Sequence, residues 1–286
     1  MMEKYGLVLE GGGVRGAFTV GVLTWLNDNH ITFDYNAGIS SGAMYMACFL
    51  VNRMDTAYRI ATDYAVDKHT AGISALLSEG HYVAYGRLIR QDILGKEHFN
   101  AEELRKAVPG MEIGVYDMEQ GKTVFHPSSE VDDELKLLHA ACALPVASGI
   151  VEYNGHHFLD GGITKMIPIE RALEQGCTKC MVITTKPADY VRKPASNMVK
   201  LMMKKLYPDC PQIYDDYCVR HINYYKQMDL IEDMVNKGDA VLMRPTRTIQ
   251  VSRFKGDPAK CQELYELGYQ DAERRKAEII AFLEGK

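Results

Sequence analysis

Ser40 stands in Gly38-Ile39-Ser40-Ser41-Gly42, a G-x-S-x-G pattern between an apolar run at 35–39 and a helical pattern at 42–51. A serine hydroxyl is a weak nucleophile until the chain exposes it and a base takes its proton. The pattern supplies the exposure. A chain that reverses tightly at the serine strains its backbone, and side chains two positions away would collide; glycine at 38 and 42 removes them. The reversal lifts the hydroxyl above the sheet edge, at the N-terminus of the following helix, where partial positive charge favours an alkoxide. Such a group does acyl transfer. The plain alternative is a glycine-rich turn in which Ser40 or Ser41 only caps the helix.

A second glycine cluster, Gly11-Gly12-Gly13-Val14-Arg15-Gly16, also follows an apolar run and precedes a helical pattern. Consecutive glycines leave backbone N–H groups unobstructed at a helix start, which makes an anion site. In acyl transfer this is the place for an oxyanion hole, built from Gly11, Gly12 and Gly13 with Arg15 alongside. Arg15 either supports the loop or is a solvated side chain at its edge. Gly11, Gly13 and Gly16 also spell G-x-G-x-x-G, the fingerprint of a dinucleotide-binding oxidoreductase. That alternative requires an acid at the end of the second strand. Asp34 has the spacing but precedes the strand, and the position after it holds Gly38-Ile39-Ser40.

The third element is Asp160-Gly161-Gly162, directly after a hairpin signal at Asn154-Gly155. A carboxylate at a strand end followed by glycines sits exposed on a tight turn, as a proton acceptor must. The α/β-hydrolase order Ser…Asp…His would need a histidine after Asp160. His221 alone follows, inside a helical pattern at 219–228, while His156 and His157 belong to the hairpin before it.

These residues need a scaffold, and the chain alternates short apolar runs with helical periods, which favours a parallel or mixed sheet under helices. Runs at 5–9, 35–39, 181–185 and 240–243 suit buried strands; 17–26, 42–51, 101–108 and 134–143 have helical spacing. The segments 111–116 and 123–126 flank a polar turn and predict a hairpin, as do 151–153 and 157–159. Pro168 and Gly176 bracket a further helix. The expected fold class is α/β, a three-layer α/β/α sandwich with a mostly parallel central sheet. It is expected as a single domain: a core over 5–190 plus a last strand near 240–245, a helical insertion over 195–238 rich in Tyr and Met, and a C-terminal helix over 257–284.

In order and spacing, GGGVRG, GISSG and DGG resemble the patatin-like phospholipase family, and ALPVASGIVEYNGHHFLDGGITKMIPIERAL resembles that family's segment around its aspartate. The resemblance covers about the first 190 residues and becomes loose from Lys193 onward, where it fits a helical tail of the bacterial type. It implies a Ser–Asp dyad with no histidine: Ser40 as nucleophile, Asp160 as base, the Gly11–Gly13 amides as oxyanion donors beside Arg15, and an acyl-enzyme intermediate. Lys165 departs from the Asn or Asp often found there. The implied activity is hydrolysis of lipid carboxylic esters, of phospholipase A or lysophospholipase kind. A soluble esterase, thioesterase or acyltransferase would use the same dyad, and a non-catalytic lipid-binding relative is a further alternative.

Composition bounds the rest. With 47% hydrophobic and 25% charged residues a full core can form, and a net charge of −5 gives the whole molecule no electrostatic attraction to nucleic acid or anionic lipid. Seven scattered cysteines read as reduced, buried thiols; Cys177 and Cys180 form a C-x-x-C without a second pair or nearby histidine, so no metal site is expected. No cofactor is needed. The N-terminal apolar run is too short for a signal peptide and no apolar stretch reaches 18 residues, so a cytoplasmic protein is expected, with peripheral membrane contact open. The segment Met198–Leu206 mixes apolar and basic residues at helical spacing; it suits a membrane surface or an acyl channel, although the plainer expectation is a helix packed on the core with solvated lysines. Oligomeric state, head group and acyl length have no sequence signal.

Overall fold

The computed structural model describes residues 3–251 and 256–284. Its strands are β1 (Tyr5–Leu9), β2 (Tyr35–Ile39), β3 (Glu112–Asp117), β4 (Lys122–Pro127), β5 (Val151–Tyr153), β6 (His156–Asp160), β7 (Lys179–Ile183) and β8 (Ala240–Met243). The helices are α1 (Ala17–Asp28), α2 (Ser41–Leu50), α3 (Met54–Arg59), α4 (Ile73–Glu79), α5 (Tyr85–Arg87), α6 (Ala101–Lys106), α7 (Lys136–Cys142), α8 (Ile169–Glu174), α9 (Asn197–Leu206), α10 (Gln212–Asn236), α11 (Pro258–Arg274) and α12 (Lys276–Leu283).

All eight strands join one sheet. β8, β7, β1, β2 and β3 run parallel in that order, and β4 closes the far edge of β3 as an antiparallel hairpin. The parallel strands are buried on both faces, as their unbroken apolar runs require. Side-chain alternation then sorts their residues between two cores. Leu7 and Leu9 of β1 and Met181 and Ile183 of β7 join Phe18, Trp25 and Met46 on one face. Val8, Val182 and Leu242 meet Ile169, Tyr224 and Ile231 on the other. The mixed α/β architecture with a mostly parallel sheet is therefore the observed fold, with the helices of the C-terminal half supplying part of both outer layers.

The expected strands and helices reappear with ends displaced by a few residues, the largest shift being β7, which begins at Lys179 and ends at Ile183. The C-terminal helical segment is divided at Arg275 into α11 and α12. The expectation for α9 holds in part. In α9 the core takes Met203 and part of Val199, while Met198, Leu201, Met202 and Leu206 face outward. The helix exposes its apolar residues as well as its lysines, because its inward stripe is filled by 199, 203 and the following Tyr207.

Candidate active site

β2 ends at Ile39 and the chain turns at once into α2, so Ser40 holds φ +55° and ψ −131° at the helix N-terminus. That conformation is unfavourable for a residue with a Cβ, at a cost on the order of 1–3 kcal/mol, and must be imposed by its surroundings. The glycines on either side show how. A Cβ on Gly38 would lie 2.7 Å from the backbone of Ala43, and one on Gly42 would lie 2.8 Å from the carbonyl oxygens of Leu9 and Glu10. The elbow is therefore clamped between its own helix and the end of β1. The Ser40 carbonyl accepts from the N–H groups of Ala43 and Met44 and starts α2.

Asp160 reaches the same place from the opposite direction. β4 lines one edge of β3 along its whole length, from Glu112 to Asp117. On the other edge β2 pairs only as far as Ile39 opposite Gly114. β6 then takes over, antiparallel, with Asp160 opposite Val115. Two strands thus meet end to end on one rail. Ile39 and Asp160 stand one β3 residue apart, about 3.4 Å along the strand, and Ser40 and Gly161 turn away from that meeting point. Ile39 Cγ2 bridges the junction, lying 3.4 Å from a Cβ on Gly11 and 3.6 Å from one on Gly162. Asp160 is buried; its N–H donates to the Ala143 carbonyl at 2.8 Å, and its Oδ1 accepts from the Gly162 N–H at 2.7 Å. Thr123 Oγ1 donates to the Gly161 carbonyl at 2.8 Å, and the Arg220 guanidinium of α10 donates to the Gly162 carbonyl.

The glycine loop passes against the elbow: a Cβ on Gly11 would meet Ser40 Cβ at 2.8 Å. Gly13, at φ +57°, opens a 3-10 turn through Gly16. Two of the three expected anion donors are engaged. The Gly11 N–H donates to the Met166 carbonyl at 3.2 Å, and the Gly12 N–H donates to Ser41 Oγ at 3.0 Å. Gly13, at the first turn, has no intrahelical acceptor for its N–H. Arg15 lies in the last turn of this 3-10 helix and lines a cleft with Thr185 and Lys186.

Several residues that hold this geometry carry no sequence motif. Glu10, fully buried, accepts from the Thr185 N–H at 2.7 Å and from Thr185 Oγ1 at 3.0 Å, and pairs with Lys186. Burial alone would push the Glu10 carboxyl up; the Lys186 and Arg192 cations and the Thr185 N–H outweigh it and hold the group below the usual carboxylate range. Burial in turn lowers Lys186 to about 7, against the raising effect of Glu10. Gln227 of α10, buried, accepts through Oε1 from the N–H groups of Met166 and Ile167. It thereby fixes the segment whose carbonyl receives the Gly11 N–H. A charged residue right after a fully apolar strand, as Glu10 is, was the one available signal.

An apolar cavity adjoins the glycine loop and the elbow, lined by Gly13, Val14, Ser41, Met44, Tyr45 and Leu88 among others. Asp34 lies elsewhere: its Oδ2 accepts from the Tyr5 N–H at 2.8 Å, at the start of β1. The glycine loop follows the end of that strand, so Asp34 is at the wrong edge to meet a ribose beside it. His221 lies on α10, where its Nδ1 makes no hydrogen bond among the described residues. His156 Nδ1 lies 2.8 Å from Asp117 and His157 Nδ1 2.6 Å from Glu119, tying the two hairpins together. Lys165 turns to Glu170 at 2.9 Å. Cys177 and Cys180 are both buried as free thiols.

Residues 7–173 match the family model described as patatin-like phospholipase, and residues 210–284 match one described as a domain of unknown function (DUF6363). The chain is 28% identical over 206 residues to the uncharacterized protein YjjU of Escherichia coli (strain K12), an alignment covering 67% of this chain and 54% of that one. It is 27% identical over 210 residues to the probable lipid hydrolase 463L of Invertebrate iridescent virus 6, covering 61% and 70%. VipD from Legionella pneumophila superposes with a TM-score of 0.49 at 11% identity, over 95% of this chain and 66% of VipD. The chain thus spans about half the length of the first of these relatives. With a family match over residues 7–173 that takes in the elbow, the glycine loop and the aspartate turn, the chain belongs to the patatin-like phospholipase family.

Proposed function

We propose that the protein hydrolyses carboxylic esters of lipids through a Ser40–Asp160 dyad and an acyl-enzyme. The observation that carries this reading is the meeting of β2 and β6 on one edge of β3, which brings a strained, helix-capping serine to the level of a buried carboxylate. In the first step Ser40 Oγ attacks the ester carbonyl and its proton passes to Asp160. The carbonyl oxygen becomes an oxyanion beside the glycine loop. The tetrahedral centre collapses, and the alcohol leaves with the proton returned from Asp160. Water then adds to the acyl-enzyme, giving its proton to Asp160, and the carboxylic acid departs as Ser40 recovers the proton. Gly13 N–H is the first oxyanion donor; Gly12 N–H joins it when the Ser41 hydroxyl rotates away, and Gly11 N–H stays with Met166. The apolar cavity beside Gly13 and Ser41 suits the acyl chain, and family membership together with the similarity to a probable lipid hydrolase supports a lipid substrate.

The test is labelling by a fluorophosphonate probe together with turnover of p-nitrophenyl esters and phospholipids. Wild type should be labelled, and Ser40→Ala should lose both labelling and turnover. Asp160→Asn should cut turnover by about 10³-fold or more, as expected for loss of a general base. Labelling that persists in Ser40→Ala would remove Ser40 from the mechanism.

A further inference from the structure

Two helices expose apolar stripes that the core does not use. In α9, Met198, Leu201, Met202 and Leu206 recur at helical spacing on the outer face, Met198 and Leu201 being 70% and 68% exposed. In α4, Ile73, Leu76 and Leu77 form an i, i+3, i+4 stripe, with Ile73 at 78% and Leu77 at 84%. Single exposed apolar side chains are ordinary; two aligned stripes are not.

Both stripes are tied to the same loop, 144–150, and through it to the site. The Val83 N–H, on the return from α4, donates to the Ala147 carbonyl at 2.8 Å. The Val146 N–H, in the same loop, donates at 3.0 Å to the hydroxyl of Tyr207, at the C-terminal end of α9. Ala143, just before the loop, accepts the Asp160 N–H. Thr70 and Val83, which flank α4, also line the apolar cavity that reaches Gly13 and Ser41. The segments that flank α4 thus form part of the cavity wall, and α9 joins them through the 144–150 loop.

At α9, charge selects the occupant. Although the chain carries a net charge of −5, residues 190–208 contain Arg192, Lys193, Lys200, Lys204 and Lys205 and no acid. None of these four lysines is in a salt bridge among the described residues, and Lys204 lies 4.2 Å over the Tyr214 ring. An apolar face bordered by unpaired lysines matches an anionic lipid surface, in which the apolar side chains enter the acyl boundary while the ammonium groups stay at head-group level.

We propose that α4 and α9 form a docking rim that seats the protein on an anionic lipid surface with the cavity mouth facing the bilayer. The proposal rests on the lipid-hydrolase reading of the same site, so the experiment measures binding and chemistry separately. Flotation with phosphatidylcholine vesicles, with and without phosphatidylglycerol, reads binding; a soluble short-chain p-nitrophenyl ester reads chemistry. Wild type and Ser40→Ala should float with the phosphatidylglycerol vesicles and much less with phosphatidylcholine alone. The pairs Ile73→Ser/Leu77→Ser and Leu201→Ser/Met202→Ser should each reduce partitioning by about tenfold or more. Lys204→Glu/Lys205→Glu should remove the preference for anionic vesicles. All three variants should keep wild-type melting temperature and short-chain ester turnover, while hydrolysis of vesicle phospholipid falls with binding.

Partitioning unchanged by the serine pairs would overturn the proposal, as would wild type that ignores vesicles. A wild-type dimer in gel filtration that the serine pairs convert to monomer would also overturn it, by assigning the stripes to a second copy. Vesicle binding without any ester turnover would sink the hydrolase reading and leave the rim standing; turnover of the soluble ester without vesicle binding would do the reverse.

Discussion

Around Ser40 the chain is held by backbone packed on backbone between adjoining turns, whereas the turn after Asp160, itself packed on the Gly114 backbone, also takes support from side chains that arrive from α10. Gly38 and Gly42 touch Ala43, Leu9 and Glu10 with no room for a methyl group. The aspartate turn is held in addition by Arg220, which bonds the Gly162 carbonyl from 58 residues away in sequence, and the segment that follows it by Gln227, 60 and 61 residues from the amides it receives. Backbone contact cannot be re-optimised by rotamer changes, so the serine side should be brittle. Side-chain contact can be partly replaced, so the aspartate side should degrade by steps.

The largest effect is expected at the elbow. Gly42→Ala would place a carbon 2.8 Å from two carbonyl oxygens, and Gly38→Ala one 2.7 Å from the Ala43 backbone. The neighbours are main chain, so the turn itself must move. A displacement near 1 Å costs about 100-fold in rate, and forced overpacking costs about 1–3 kcal/mol of stability. Ester turnover, labelling rate and thermal melting check this, and near-normal turnover by Gly42→Ala would break the contrast between the two sides.

Arg220 comes next. Arg220→Ala removes the donor to the Gly162 carbonyl and lets the turn carrying Asp160 relax, for a loss of about tenfold in kcat, or ~1.4 kcal/mol. KM for a short ester should stay put, because Arg220 is assigned a positioning role, and Arg220→Lys should recover part of kcat. A fall in melting temperature with kcat intact would make Arg220 merely structural.

This contrast also explains what the sequence disclosed. The glycine loop, the elbow and the Asp160 turn were legible because local sterics force glycine at fixed offsets from Ser40 and Asp160. The buried strands were legible because a strand covered on both faces must be apolar throughout. Arg220 and Gln227 were not, since each is one polar residue among many on the 25-residue α10 and its partner is set by tertiary packing alone. Between 52 and 100 the sequence reading assigned no element, yet α3, α4, α5 and two π-helical turns, Ile60–Tyr64 and Leu88–Lys96, fold there. These pieces are short or wide, and hydrogen bonding at i→i+5 leaves no 3.6-residue period to detect. The outward face of α9 stayed open for a related reason: a helical period in the sequence does not say which stripe the core will take.

Gln227 should trade a smaller catalytic effect for a larger structural one. Gln227→Leu leaves the buried Met166 and Ile167 N–H groups without their acceptor, and two such orphans cost about 2–6 kcal/mol. Turnover should fall only a few-fold, since the Met166 carbonyl still receives the Gly11 N–H. Urea denaturation and kcat measured on one preparation separate the two. A loss of activity as deep as that of the elbow variants would show the aspartate side to be equally brittle.

These comparisons need a pH at which the fold itself is not titrating, and Glu97 sets its lower bound. Its hydrogen bond from Arg59, opposed by burial and joined by Tyr64 and Thr56, holds the carboxyl down to about 2. A folded value below the unfolded one means that the contribution is fully present above about 4.5 and is lost as pH falls through the folded value. Because Arg59 is partly exposed, solvent screening reduces the contribution to about 1 kcal/mol. The urea midpoint should therefore be flat from pH 7 to about 5 and decline from about 4.5 toward 2, with a shallower decline in Glu97→Gln. Glu97 touches neither side of the site, so ester turnover above pH 5 should be unchanged in that variant. If turnover fell there, the division of the molecule into a backbone-held serine side and a side-chain-held aspartate side would omit a third support running through α3.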